Sequence, residues 1–197
     1  MKDRLSSTSL KQILGGRNLY LIGMMGCGKT LTGPPLAEEL NYRFVDMDNV
    51  IEEVAHKSIK DIFTKDGEKT FRNLETQVLK EIGQHYSLVV ATGGGVVIRP
   101  ENWGVLQQGI IIWIDPGRDR LWERLQLDSS KRPLLLGDNP ASNFDEINKE
   151  REKLYMESDL RVFVEDEAPE EVALKIIKKL PSILINPHDQ AAQQTIE

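Results

Sequence analysis

The chain has 197 residues, 40% of them hydrophobic and 28% charged, with a formal net charge of −6. That length suits one domain, the acidic balance argues against a nucleic-acid partner, and a single cysteine excludes an internal disulfide framework and favours a reducing compartment. The longest apolar run, Ile110 to Ile114, falls far short of the ~18 residues of a membrane span, and the N-terminus lacks the apolar core of a secretory signal, so a soluble cytoplasmic protein with no membrane partner is expected.

Residues 1–17 read as a loosely attached leader, set off by Gly15-Gly16. Asn18 to Ile22 is a short apolar run and reads as a buried strand. Leu36, Ala37 and Leu40 then fall on one side of a helical pattern, with Glu38 and Glu39 on the other. Phe44-Val45 is a second strand, closed by Asp46. Val50, Ile51, Val54 and Ala55 suggest a helix, Ser58 begins what resembles a helix cap, and Leu74, Val78, Leu79 and Ile82 carry a longer helix. Ser87 to Ala91 is a third strand and Ile110 to Ile114 a fourth, followed by helical Leu121, Trp122 and Leu125. Leu160 to Val164 is a fifth, and Val172, Ile176 and Leu180, spaced by four, close the domain. Strands that are continuously apolar and alternate with helices predict an α/β domain whose parallel sheet is covered on both faces. Residues 128–143 are polar, rich in turn formers and without period, as in a functional lid. Residues 181–197 read as a flexible tail.

Gly23-Met24-Met25-Gly26-Cys27-Gly28-Lys29-Thr30 fits G-x-x-x-x-G-K-[ST] at every required position, after a strand and before a helix. The glycines let backbone amides curl around phosphate oxygens, and the helix N-terminus adds partial positive charge. Lys29 is expected to reach the β- and γ-phosphates, and Thr30 to offer its hydroxyl to Mg²⁺. Cys27, inside the loop, reads as a small residue that fits. Trp103, Trp113 and Trp122 read as packing groups, and His56, His85 and His188 have no metal-ligand spacing.

The loop alone does not separate a GTPase, a motor ATPase and a small-molecule kinase. No N/T-K-x-D guanine-reading motif is present: Thr64-Lys65-Asp66-Gly67 has its acid one place early, and Asn148-Lys149-Glu150-Arg151 has none. Five further motifs occur in order: Asp46-Met47-Asp48, Phe71-Arg72 with Glu75, Thr92-Gly93-Gly94-Gly95, Arg132-Pro133-Leu134-Leu135 and Arg151-Glu152-Lys153-Leu154-Tyr155. With the phosphate loop they resemble the shikimate kinase family over residues 18–180. The resemblance implies a three-layer phosphate-loop domain with a five-stranded parallel sheet in the order 2-3-1-4-5, helices on both faces and a lid. Residues 48–80 would form the substrate-binding helices and residues 128–143 the lid.

The implied activity is ATP-dependent phosphorylation of the shikimate 3-hydroxyl, with one Mg²⁺ per subunit and a monomer expected. Arg72 and Arg151 match the carboxylate-binding arginines, a role that suits the planar guanidinium fork. Gly93, Gly94 and Gly95 would let backbone approach the substrate ring. Asp48 matches the acid that orients and deprotonates the attacking hydroxyl, and Asp46 the acid near the Mg²⁺ waters. Gly26, Cys27, Gly28, Lys29, Thr30 and Leu31 would line the ATP site. Arg132 matches the lid arginine that reaches the transferring phosphate, and Arg124 the arginine that packs on adenine. Pro34-Pro35 departs from the family, which often has an arginine after Gly33, and is expected to kink the first helix. Lys153 stands where a proline is common. Two rival readings are another small-molecule kinase, such as a gluconate or nucleotide kinase, and a binding protein that has lost catalysis. The Arg72/Arg151 pair beside the glycines argues against the first. The presence of Lys29, Asp48, Arg72, Gly94, Arg132 and Arg151 argues against the second.

Overall fold

The computed structural model describes residues 7–127 and 139–184. Five strands, β1 (Leu19–Ile22), β2 (Arg43–Asp46), β3 (Leu88–Ala91), β4 (Ile110–Asp115) and β5 (Leu160–Phe163), form one sheet in the order β2-β3-β1-β4-β5. Every pairing is parallel; Leu19, for example, is in register with Val89 on one side and Ile110 on the other. All residues of β1, β3 and β4 are buried, so both sheet faces are covered, as the unbroken apolar runs predict. Helices α2 (Lys29–Leu40) and α9 (Pro169–Lys179) pack against each other, and α2 also lies on β2 and β3.

The segment predicted as a loose leader is partly a structural element. Ser7–Leu14 forms helix α1, and Leu10 and Leu14 are buried in the core, at 2% and 0% exposure. The two leucines are four residues apart, one face of a single short helix. Arg17 closes its end, donating from Nε to the Leu14 carbonyl at 3.1 Å. At the other terminus, α10 (Pro181–Leu184) continues past the buried Leu180, so the predicted tail is helical in its first four residues; residues 185–197 lie outside the described part.

The prolines expected to kink the first helix do not interrupt it. Helix α2 is continuous from Lys29 to Leu40 with both prolines inside it. The prolines withdraw the amides that would bond the carbonyls of Thr30 and Leu31, and both those residues are exposed, where solvent substitutes. The helix is seated from the other side by Phe44: a Cβ on Gly33 would stand 2.0 Å from the Phe44 ring.

The remaining elements follow β2, β3 and β4 in turn and all precede β5. They are α3 (Met47–Ala55), the short α4 (Ile59–Asp61), a π-helical turn (Ile62–Asp66), α5 (Glu68–Ile82), a 3₁₀ turn (Val96–Ile98), α6 (Pro100–Leu106), α7 (Arg118–Leu127) and α8 (Pro140–Tyr155). Ser58 caps α4 by accepting from the Asp61 amide, as its sequence context predicts. The last four residues of the predicted lid, 140–143, are the first turn of α8; residues 128–138 lie outside the described part.

If α1 belongs to the core, Leu14→Ala should lower stability by about 2–4 kcal/mol in urea unfolding. An unchanged midpoint would return Ser7–Leu14 to the status of an appendage.

Candidate active site

β1 lies between β3 and β4, on either side of which the chain order reverses, and open α/β sheets bind ligands at such a point, beyond the carboxyl ends of the strands. The phosphate loop begins there. Gly23 (φ 136°) and Gly28 (φ 105°) adopt backbone conformations that side chains disfavour, and a Cβ on Gly23 would also stand 2.6 Å from the Ile114 carbonyl. Lys29, buried at 8% exposure, donates from Nζ to the carbonyls of Gly23 (2.7 Å) and Met24 (3.0 Å). Cys27 packs inward at 1% exposure, its sulfur 3.5 Å from Lys29 Nζ, in keeping with a small residue that fits.

Asp46 ends β2 and caps α3, accepting at Oδ1 from the amides of Asp48 (3.0 Å) and Asn49 (3.4 Å). Its Oδ2 accepts from the Thr30 hydroxyl at 2.7 Å. One carboxylate thus fixes the start of α3 to the start of α2. A hydroxyl and a carboxylate side by side are hard oxygen donors of the kind Mg²⁺ prefers, and such an ion takes most of its other ligands from phosphate and water. Among the described residues there is no cluster of three or more His, Cys, Asp or Glu that could hold a metal.

Two clefts open at this end of the sheet. One is lined by Gly26, Gly28, Lys29, Thr30, Leu31 and Asp46. The other is lined by Ile59, Phe63, Phe71, Arg72, Glu75, Gly93, Gly95 and Arg151. Met25, Asp48 and Gly94 line both, so the clefts meet at the Asp48 carboxylate and the middle glycine.

The second cleft is built on buried charge. Arg72, at 6% exposure, donates from Nη1 to Glu75 Oε2 (2.8 Å) and from Nε and Nη2 to Glu68 Oε1 (3.2 and 3.1 Å). Its guanidinium lies over the Phe71 ring, 5.1 Å from the centroid. Glu75 is wholly buried, and its Oε1 has no hydrogen-bond partner among the described residues. Burial pushes the Glu75 carboxyl above its usual range, against the opposing pull of Arg72. Arg151, at 5% exposure, enters from α8, its Nη1 3.6 Å from where a Gly94 Cβ would stand. One turn further, the Tyr155 hydroxyl donates to the Gly94 carbonyl at 2.5 Å, and burial raises its pKa.

A side chain at any of the three glycines would crowd this cleft. A Cβ on Gly93 would stand 2.7 Å from Glu75 Oε1, and one on Gly95 2.3 Å from Arg72 Nη1; on Gly94 it would crowd the Met25 amide at 3.2 Å. Asp48, Arg72, Gly93, Gly94, Gly95 and Arg151, predicted from separate motifs, are therefore in one place, beside Lys29, Thr30 and Asp46. Arg124 sits apart on α7, reaching the Glu165 carbonyl after β5 at 3.4 Å. Arg132 lies outside the described residues. Glu75 carried a motif but no assigned role in the sequence; its place three residues after Arg72 on a helix is the signal that the two side chains meet.

Residues 25–181 match the family model for shikimate kinase. The chain belongs to the shikimate kinase family. A shikimate kinase of Prochlorococcus marinus strain NATL2A is 57% identical over 189 residues, which cover 96% of each chain. One from Synechococcus sp. strain CC9902 is 54% identical over 92% of this chain and 95% of the relative. Among solved structures, shikimate kinase from Acinetobacter baumannii in complex with shikimate superposes with a TM-score of 0.82 at 36% identity, covering 88% of this chain and 97% of that one. A gluconokinase from Sinorhizobium meliloti, at 15% identity and a TM-score of 0.52, shares the fold alone. The predicted strand order is thus that of this shikimate kinase chain, whose phosphate loop starts just ahead of the matched segment.

The raised Glu75 pKa has a signed consequence. A carboxyl whose folded value exceeds its unfolded value, about 4.3, contributes stability below the unfolded value and loses it as pH rises through the folded one. Parent stability minus that of Glu75→Gln, from urea unfolding, should therefore fall as pH rises above about 4.3. A difference that stayed flat or grew would contradict the burial of this charge.

Proposed function

We propose that this shikimate kinase transfers the γ-phosphoryl of ATP to the 3-hydroxyl of shikimate, giving shikimate 3-phosphate and ADP for aromatic amino-acid biosynthesis, through the residues that meet at the two clefts. The observation that carries this reading is the shared wall: Asp48 and Gly94 border a phosphate-loop cleft on one side and a cleft with two buried arginines on the other. An acceptor held by the arginines would present its hydroxyl to Asp48 at the junction.

The phosphoryl-transfer transition state is loose, so positioning and charge outweigh base strength. Arg72 and Arg151 hold the shikimate carboxylate through charge-assisted bonds in a site shielded from water. The amides beside Gly93, Gly94 and Gly95 approach the ring where side chains would block it. Asp48 accepts the proton of the 3-hydroxyl and keeps its oxygen aimed at the phosphorus. Lys29, turning from the loop carbonyls to the β- and γ-phosphates, offsets the charge that develops there. Thr30 and Asp46 fit one Mg²⁺ per subunit, Thr30 directly and Asp46 through water. That ion, when bound with ATP, neutralises and orients the phosphates. Arg124 is assigned to the adenine and Arg132, from the 128–143 lid, to the transferring phosphate; Gly26, Cys27, Gly28 and Leu31 complete the ATP site. A monomer is assigned with this activity, as the family resemblance implies. No helix among the described residues is long and apolar enough to cross a membrane, and a cytoplasmic location fits.

The deciding experiment is ADP release from Mg-ATP with shikimate, with gluconate, with nucleoside monophosphates and with no acceptor. Turnover with shikimate alone is expected; equal turnover with another acceptor would overturn the assignment. Asp48→Asn should lower kcat by about a hundredfold or more, and at least as much as it raises KM for shikimate. A parent-like kcat would remove Asp48 from proton transfer. Gly95→Ala should raise KM for shikimate about tenfold, because its Cβ displaces a guanidinium that makes a charge-assisted bond, and leave KM for ATP unchanged, since Gly95 borders only the acceptor cleft. Equal rises in both would show that Gly95 acts on the whole site.

A further inference from the structure

The glycine segment has its carbonyls held in a row. Gly93 O and Gly95 O accept from the amides of Val96 and Ile98, both at 3.1 Å. Gly94 O accepts from Tyr155. Val96 O accepts from Asn102 Nδ2 at 2.7 Å, and Val97 O from Trp103 Nε1 at 2.9 Å. Five consecutive carbonyls are thus satisfied, while the amides of Gly94 and Gly95 donate to no described residue. The bonds from Val96 and Ile98 are the segment's own turns, so its position depends on the three outside donors, Tyr155, Asn102 and Trp103.

Asn102 is the anchor with a second attachment. It is wholly buried, and while its Nδ2 holds Val96, its Oδ1 accepts from the Thr76 hydroxyl at 2.9 Å. Thr76 is on α5, one turn after Arg72 and on the same face. The relay Val96–Asn102–Thr76 therefore ties the glycine segment to the helix that carries the arginine. Arg99 braces the same joint, donating to Asn73 Oδ1 (2.8 Å) and, at 3.4 Å, to Thr76 Oγ1. Spacing matters here because Arg72 already lies against the backbone of Gly95, with no room for a methyl group.

We infer that Thr76 and Asn102 are positioning residues of the acceptor site: their hydrogen bond sets the separation between the Arg72 guanidinium and the Gly94–Gly95 amides, and so the affinity for a carboxylate-bearing polyol. The inference rests on the shikimate assignment above. It neither involves the phosphate loop nor places either side chain against the substrate.

The test uses the full chain and the pair Thr76→Val, which keeps shape and removes the hydroxyl, and Thr76→Ser, which keeps the hydroxyl. Thr76→Val should raise KM for shikimate about tenfold, leave KM for ATP within about twofold and weaken shikimate binding to the nucleotide-free protein, read by calorimetry, by a similar factor. Thr76→Ser should restore both. A role in stability alone would lower the unfolding midpoint of Thr76→Val and leave shikimate KM at the parent value; that result, or equal rises in both KM values, overturns the inference. Should Thr76→Val not fold, Thr76→Ala is read in the same way. A parent protein that neither binds nor phosphorylates shikimate would overturn the assignment itself and this inference with it, whereas a parent-like binding constant in Thr76→Val overturns the inference alone.

Discussion

Arg72 and Glu75 form an ion pair with almost no access to water, and the acceptor cleft is arranged around it. Removing two charges from water costs several kcal/mol per ion, which their attraction repays only when the geometry is good and the remaining polar atoms are satisfied. Here Arg72 has further bonds to Glu68, but Glu75 keeps one oxygen without a described partner and a carboxyl pushed above its usual range. Such a pair is poor material for stability. Its effect is to fix a guanidinium at one place and angle. The neighbouring backbone carries the consequence: Glu75 forbids a side chain at Gly93, and Arg72 forbids one at Gly95.

The sheet supplies the other half of the site. With β1 between β3 and β4, the loop after β1 and the segment after β3 leave adjacent strands at the same edge. Gly94 can then border the phosphate loop, its missing Cβ sparing the Met25 amide, while Asp46 reaches from the end of β2 to Thr30 on α2. The same Asp46 caps the helix whose first turn holds Asp48. Moving Asp46 would disturb the Thr30 hydroxyl and the start of the helix that carries Asp48 together, so the two clefts are coupled by a single side chain of ordinary chemistry.

What could be read in the sequence follows from how far each signal extends. The buried strands β1, β3 and β4 were legible because each is a run of apolar residues with no polar interruption, and the phosphate loop because its eight positions are tied to one backbone shape. Helix α1 was not, since Leu10 and Leu14 are one pair on one turn of helix beside a Gly-Gly break, and only the surface they cover shows that they are core. The prolines of α2 stand inside a continuous helix. The local rule against proline in a helix is sound, yet Phe44 under Gly33 and exposed carbonyl-bearing residues at Thr30 and Leu31 outweigh it. Tyr155 and Thr76 act through partners far along the chain, Gly94 and Asn102, so no local pattern could have assigned them, whereas Glu75 meets Arg72 three residues away on the same helix.

Selectivity follows from the same burial that makes the cleft costly. A hydrophobic pocket separates similar ligands weakly, whereas a site of buried polar groups rejects strongly any ligand that leaves them unpaired. Arg72 and Arg151 are both nearly inaccessible to water. In the proposed site, an acceptor without a carboxylate would leave the guanidinium donors not already held by Glu68 and Glu75 without a charged partner. An acceptor with a carboxylate but a flexible chain would satisfy them and still have to order its own hydroxyls against Asp48. A rigid ring bearing one carboxylate and a row of hydroxyls meets both demands with the least entropy lost.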